Sequence, residues 1–135
     1  GKINVWCAKT LEVKKKLQFA KTAIGCIVQH KDTVWIGALD FVTCLDPISF
    51  QKVEYIRVGL GMVNSIVCYR HYLWVTSTFT SRICVWDIDT QEQLYTLKGH
   101  TDKVMDLLKV DHYLLSCGRD CNIVVWDLRQ FAQVT

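Results

Sequence analysis

Hydrophobic and polar residues alternate along most of this chain with a period of two, the pattern of strands that turn one face inward. Val104, Asp106 and Leu108 share one side, while Met105, Leu107 and Lys109 share the other. Asp111-His112 then supplies a turn, Tyr113-Leu114-Leu115-Ser116 a second strand, and Cys117-Gly118-Arg119-Asp120 a tight turn. That turn combines a permissive glycine backbone with an aspartate able to bond its own main chain. Ile123-Val124-Val125-Trp126-Asp127 reads as a third strand, β-branched and apolar on both sides, which belongs in a sheet stacked on both faces. The same grammar fits upstream. It predicts strands over 3–6 and 13–19, then 24–29, 33–38, 42–45 and 53–58, then 63–69, 72–76, 83–86 and 94–97, leaving 131–134 for a last outer strand. No long helix is predicted anywhere.

The third strands repeat. Ile3-Asn4-Val5-Trp6, Val42-Thr43-Cys44-Leu45-Asp46, Ile83-Cys84-Val85-Trp86-Asp87 and Ile123-Val124-Val125-Trp126-Asp127 anchor at positions 6, 45, 86 and 126, spacings of 39, 41 and 40 residues. A period near this length ending in Trp-Asp marks the four-stranded blades of a propeller. The expected fold is all-β, with about three and a half four-stranded antiparallel blades in an incomplete ring: a partial blade over 1–20, then 21–60, 61–100 and 101–135. Since a closed propeller needs at least about four blades, the chain is expected to be part of a larger propeller protein. The remaining blades would come from the same chain or from another copy.

Composition adds limits. Half the residues are hydrophobic, 21% are charged and Pro47 is the one proline, which excludes a disordered chain. No apolar run approaches a membrane helix, and Gly1-Lys2-Ile3-Asn4 lacks the basic-then-apolar pattern of a signal peptide, so the expected location is cytoplasmic. Net charge is +3, and the basic run Lys14-Lys15-Lys16 reads as a solvated strand edge whose lysines discourage edge pairing. Nucleic acid and membrane lipid are not the expected partners; the alternative gives this basic face to phosphoinositide or nucleic-acid binding. Seven cysteines, an odd number without a secretory signal, argue for reduced thiols. Cys117 and Cys121 lack a second pair, and His30, His71, His100 and His112 form no ligand cluster with them, so neither metal nor cofactor is expected.

Gly99-His100, followed after 25 residues by Trp126-Asp127 with Ser116 and Asp120 between, resembles the WD40-repeat propellers, strongly from Ile83 onward. The resemblance implies a buried hydrogen-bond chain through His100, Ser116, Asp120 and Trp126. Other repeats depart from it: Leu60, Thr76, Thr80 and Trp86 stand at the matching places in one, and Ala20, Ile36, Asp40 and Leu45 in another. It also implies a contact surface at the end bearing the turn before the aspartate, which by position holds Leu39, Phe79 and Arg119, with Lys103, Val63 and Ala23 just inside the first strands. Leu39, Phe79, Arg119 and Lys103 are therefore the candidate partner-binding residues, for other proteins or peptides.

His100, Asp120 and Ser116 have the residue types of a hydrolase triad, yet no Gly-x-Ser-x-Gly elbow is present, and the implied role is mutual hydrogen bonding. Gly59-Leu60-Gly61 lacks the third glycine of a dinucleotide loop. The expected function is a non-catalytic protein-protein interaction scaffold, the WD40 portion of a larger intracellular protein. Val34-Trp35-Ile36-Gly37 is similar in style to the C-terminal propellers of DENN-domain Rab exchange factors, Rho exchange factors and Roco kinases. On that alternative the chain is a targeting or regulatory propeller whose chemistry lies in another domain.

Overall fold

A computed structural model describes residues 1–131. Eleven strands follow one another: β1 (Lys2–Trp6), β2 (Val13–Gln18), β3 (Ile24–His30), β4 (Thr33–Leu45), β5 (Lys52–Tyr69), β6 (Tyr72–Ser77), β7 (Arg82–Asp87), β8 (Gln93–Lys98), β9 (Val104–Val110), β10 (Tyr113–Gly118) and β11 (Ile123–Asp127), before a 3-10 helix over Leu128–Phe131. The strands pair antiparallel with their sequence neighbours, in sheets β1-β2, β3 through β8, and β9-β10-β11. The chain is thus all-β and blade-like, and the described sheets do not close into a ring.

The six-stranded sheet exists because β5 serves two blades. Its first half pairs with β4, from Leu45↔Lys52 to Phe41↔Arg57, and its second half pairs with β6, from Val63↔Ser77 to Tyr69↔Tyr72. Strands predicted separately over 53–58 and 63–69 are therefore one element. Gly59 and Gly61, at φ +62° and +79°, let the backbone bend between the halves without breaking the strand. The predicted strands 33–38 and 42–45 likewise fall within β4, where Asp40 sits at φ +63°.

The turns repeat as regularly as the strands. Lys31, Arg70 and Asp111 adopt left-handed φ values of 52°, 56° and 52°, each opening a hairpin, and Leu11, Phe50 and Gln91 do so at 59°, 59° and 60° before the outer strands. The aspartate that follows the third-strand anchor, Leu45 or Trp86, acts in the second set. Asp46 Oδ1 accepts from the amides of Ile48 and Ser49, both at 2.8 Å, and Asp87 Oδ1 from those of Asp89 and Thr90 at 2.8 and 2.9 Å.

The core lies between blades. Phe19, Ile36 and Leu45 fill the first seam; Trp35, Val42 and Ile56 meet Val63, Leu73 and Trp86 in the second; Trp74, Ile83 and Val85 meet Val104, Leu107 and Leu114 in the third. Fully burying each such aliphatic side chain contributes roughly 1.5–3 kcal/mol. β6 is buried along its whole length, as the two-sided apolar pattern requires. β11 is not: Ile123 and Val125 are 69% and 59% exposed, because among the described residues nothing packs on that face. The outer strand predicted over 131–134 is also revised at its start. Phe131 ends the 3-10 helix and sets its ring edge-on against Trp74 and Tyr95, while 132–134 lie outside the described residues.

Candidate functional site

Three local structures bring His100, Ser116, Asp120 and Trp126 together: the approach to β9, the middle of β10 with β11, and the turn between them. Trp126 Nε1 donates to Ser116 Oγ at 2.9 Å, Ser116 Oγ lies 2.8 Å from His100 Nε2, and His100 Nδ1 lies 2.9 and 3.0 Å from the Asp120 carboxylate oxygens. A carboxylate only accepts, so Nδ1 carries the proton and Nε2 accepts from the serine hydroxyl. The histidine and aspartate side chains are 1% and 4% exposed. Asp120 also accepts from the Thr101 amide at 2.9 Å and the Asn122 amide at 3.1 Å. The Thr101 amide, followed by His100 and the Asn122 amide, holds its carboxyl down at about 2.

Two glycines make room. A Cβ on Gly118 would stand 2.5 Å from His100 Nδ1 and 2.7 Å from Asp120 Oδ1, and one on Gly99 would stand 2.8 Å from the Trp126 ring. Ser116 is fully buried, with the indole and the imidazole on its hydroxyl, so it presents no nucleophile to a substrate.

The neighbouring repeats show what replaces this cluster, and two of the positional matches need correction. Register places Val75, not Thr76, where Ser116 stands, since Ser116 pairs with Val124 and Val75 with the corresponding Cys84. The β6–β7 hairpin, closed by Tyr72↔Asp87, is one residue longer than the β10–β11 hairpin closed by Tyr113↔Asp127, so counting back from tryptophan lands one residue late. The Thr76 hydroxyl bonds the Arg82 carbonyl at 3.3 Å, and Trp86 Nε1 is buried with no partner among the described residues. Asp40 also differs from Asp120: its Oδ1 accepts from the Gly61 amide at 2.7 Å, at the start of the following blade rather than within its own.

At the same end of the blades, Leu39, Phe79, Lys103 and Arg119 form a connected series. Leu39 pairs with Met62 beside Gly61, and the Phe79 ring covers Gly61 so closely that a Cβ there would be 2.5 Å from it. Lys103 Nζ lies 5.8 Å from the Phe79 ring centroid, and the Lys103 carbonyl accepts from the Arg119 amide at 2.9 Å. Phe79 is 70% exposed and Leu39 39%, whereas Val63 is wholly buried and does not reach the surface. Sequence reasoning missed the latch between blades below this end. Asn64 Nδ2 donates to the carbonyls of Val104 at 3.2 Å and Met105 at 2.8 Å, and Ser65 Oγ donates to Asp106 Oδ1 at 2.8 Å. Nothing in the spacing of Asn64 and Ser65 marks a contact 41 residues away.

The cysteines are all free: Cys44, Cys68 and Cys84 are buried, and Cys117 and Cys121 are exposed. Burial pushes the Cys68 thiol up to about 12 and the Cys26 thiol to about 11, leaving them inert apolar fillers.

Residues 91–127 match the WD40 family, described as WD domain, G-beta repeat. Protein DSE1 of Scheffersomyces stipitis is 50% identical over 44 residues, 33% of this chain and 7% of that protein. Autophagy-related protein 16 of Arabidopsis thaliana is 27% identical over 106 residues, 75% of this chain and 21% of its own length. An uncharacterized WD repeat-containing protein of Schizosaccharomyces pombe is 32% identical over 84 residues, 61% of this chain and 20% of its own. The chain therefore spans between 7% and 21% of these curated relatives. The crystal structure of the computationally designed Ika4 protein superposes with a TM-score of 0.77 over 95% of this chain and 80% of that one, at 21% identity, a likeness of fold. The family match over the repeat that holds the full hydrogen-bond cluster, together with a WD repeat-containing relative matching 61% of the chain, supports a place in the WD40-repeat family.

Proposed function

We propose that this chain is a non-catalytic scaffold that binds other proteins or peptides through the end formed by Leu39, Phe79, Lys103 and Arg119. The observation that carries the reading is the position of Phe79. Its ring is 70% exposed, seated on Gly61 and flanked by Lys103, so a large apolar anchor stands on rigid backbone beside a cation. Such a surface suits a partner that offers an apolar side chain next to a carboxylate. The relatives are several times longer than their matched segments, which supports reading the chain as the WD40 portion of a larger protein. Seven free thiols support a reducing, cytoplasmic setting.

The test is the double variant Phe79→Ala, Arg119→Glu, both in exposed turns. Proteins crosslinked to the wild-type chain in cells should be lost from the variant while its melting midpoint stays within about 2 °C. An unchanged set of crosslinked proteins would remove this surface from the function.

A further inference from the structure

The lysines near the N-terminus far outnumber the carboxylates there. Residues 1–21 contain six lysines against the single Glu12, while the whole chain is only +3, so the remainder is net acidic. The fold brings two of these, Lys15 and Lys21, together with Lys52 to the seam between the first two blades. Lys15 Nζ sits 4.8 Å from the Phe50 ring centroid and Lys52 Nζ 4.7 Å from that of Phe19, so the ammonium groups lie against aromatic faces. Beside the Lys52–Phe19 pair is a groove of about 420 Å³, walled by Phe19, Phe41 and Tyr55 and bordered by Lys21 and Lys52. The Phe41 and Tyr55 rings stack at 4.9 Å, and Tyr55 is 53% exposed. Thr22 Oγ1, on the same lining, is buried and has no hydrogen-bond partner among the described residues. Lys15, Lys21 and Lys52 form no ion pair among the described residues. Cations left without carboxylates beside an apolar hollow favour an anionic occupant that also carries an apolar group.

We propose that this inter-blade groove binds an acidic peptide segment of a partner protein, seating one aromatic or aliphatic side chain against Phe41, Tyr55 and Phe19 and pairing flanking carboxylates with Lys21 and Lys52. The hollow is shallow and open, and its volume of about 420 Å³ takes one or two side chains laid on the three rings. The cations are lysines, point charges suited to scattered carboxylates rather than to the planar edges that arginine reads on bases. The site is separate from the end described above, since none of Leu39, Phe79, Lys103 and Arg119 lines it.

The experiment uses the 135-residue chain and a fluorescein-labelled peptide Glu-Glu-Leu-Tyr-Glu-Glu, followed by anisotropy at low and high salt. Binding should weaken with salt, fall by about tenfold or more in Lys21→Glu, Lys52→Glu, and fall in Tyr55→Ala, while Lys98→Glu on β8 and the Phe79→Ala, Arg119→Glu variant bind as wild type. Circular dichroism on each variant separates lost binding from lost folding, and Tyr55→Ala, on an exposed side chain, serves if the double reversal does not fold. The proposal is overturned if the peptide does not bind, or if folded variants at Lys21, Lys52 and Tyr55 bind it unchanged. It is equally overturned if phosphatidylserine vesicles or a single-stranded oligonucleotide bind the groove while the peptide does not.

Discussion

Trp126 and Trp86 occupy equivalent places in successive repeats, yet one indole donates to Ser116 and the other has no partner among the described residues. The difference is a single side chain, because Val75 stands where Ser116 does. Ser116→Ala should therefore strand both the indole and the imidazole, lowering stability by about 1–3 kcal/mol in urea titration. Val75→Thr gives the converse. A buried hydroxyl ordinarily costs free energy unless it finds a partner, but here it would face an unmet donor, so its cost should stay below about 1 kcal/mol. Val85→Thr, at an equally buried position of β7 whose ladder partners are Trp74 and Tyr95, should cost about 1–3 kcal/mol. Equal costs at Val75 and Val85 would contradict this account of Trp86.

The turn between β10 and β11 is the element on which the polar cluster depends. Gly118→Ala would drive a methyl toward His100 and Asp120, so the turn must open and the melting midpoint should drop. The same turn makes stability sensitive to acid. Asp120 is held at about 2 against an ordinary 3.8 by the Thr101 amide and His100, and Asp127 is held at about 2 chiefly by the Arg129 side chain. A carboxyl depressed in the folded state stabilises that state above its ordinary value, and this contribution disappears as pH falls from about 4 to about 2. Denaturation midpoints of the wild type should fall across that window. In Asp120→Asn the fall should be shallower, and identical slopes would show that Asp120 does not contribute.

At the scale of the whole molecule, stacking decides what each repeat position is worth. Val85 and Val125 are counterparts in successive third strands, but Val85 is wholly buried between blades and Val125 is 59% exposed. Truncation to alanine should cost about 1–3 kcal/mol at Val85 and less than about 0.5 kcal/mol at Val125 by urea titration of the chain. Similar losses at both would mean that the face of β11 is covered in solution. The seams also carry polar stitching: Ser65 and Asn64 tie the β5 blade to β9, and Asp40 ties β4 to the Gly61 amide. The last three blades are thus registered on one another by directional bonds as well as by apolar contact.

Much of this was legible in the chain itself. Alternation at Val104 to Lys109, the 39- to 41-residue recurrence and the Gly99-His100 to Trp126-Asp127 spacing depend on periods of backbone and repeat, which are local properties, and they determined the strands and the family. Tertiary structure decided the rest. A hairpin one residue longer moved Val75 into the place assigned to Thr76, and the aim of the Asp40 carboxylate depended on where Gly61 came to lie. The groove between Phe19 and Tyr55 joins residues of different blades, whose approach no local pattern encodes. Strand identity follows from two-residue periodicity along one segment, whereas hydrogen-bond partners and surface hollows follow from how separate segments are registered across a seam.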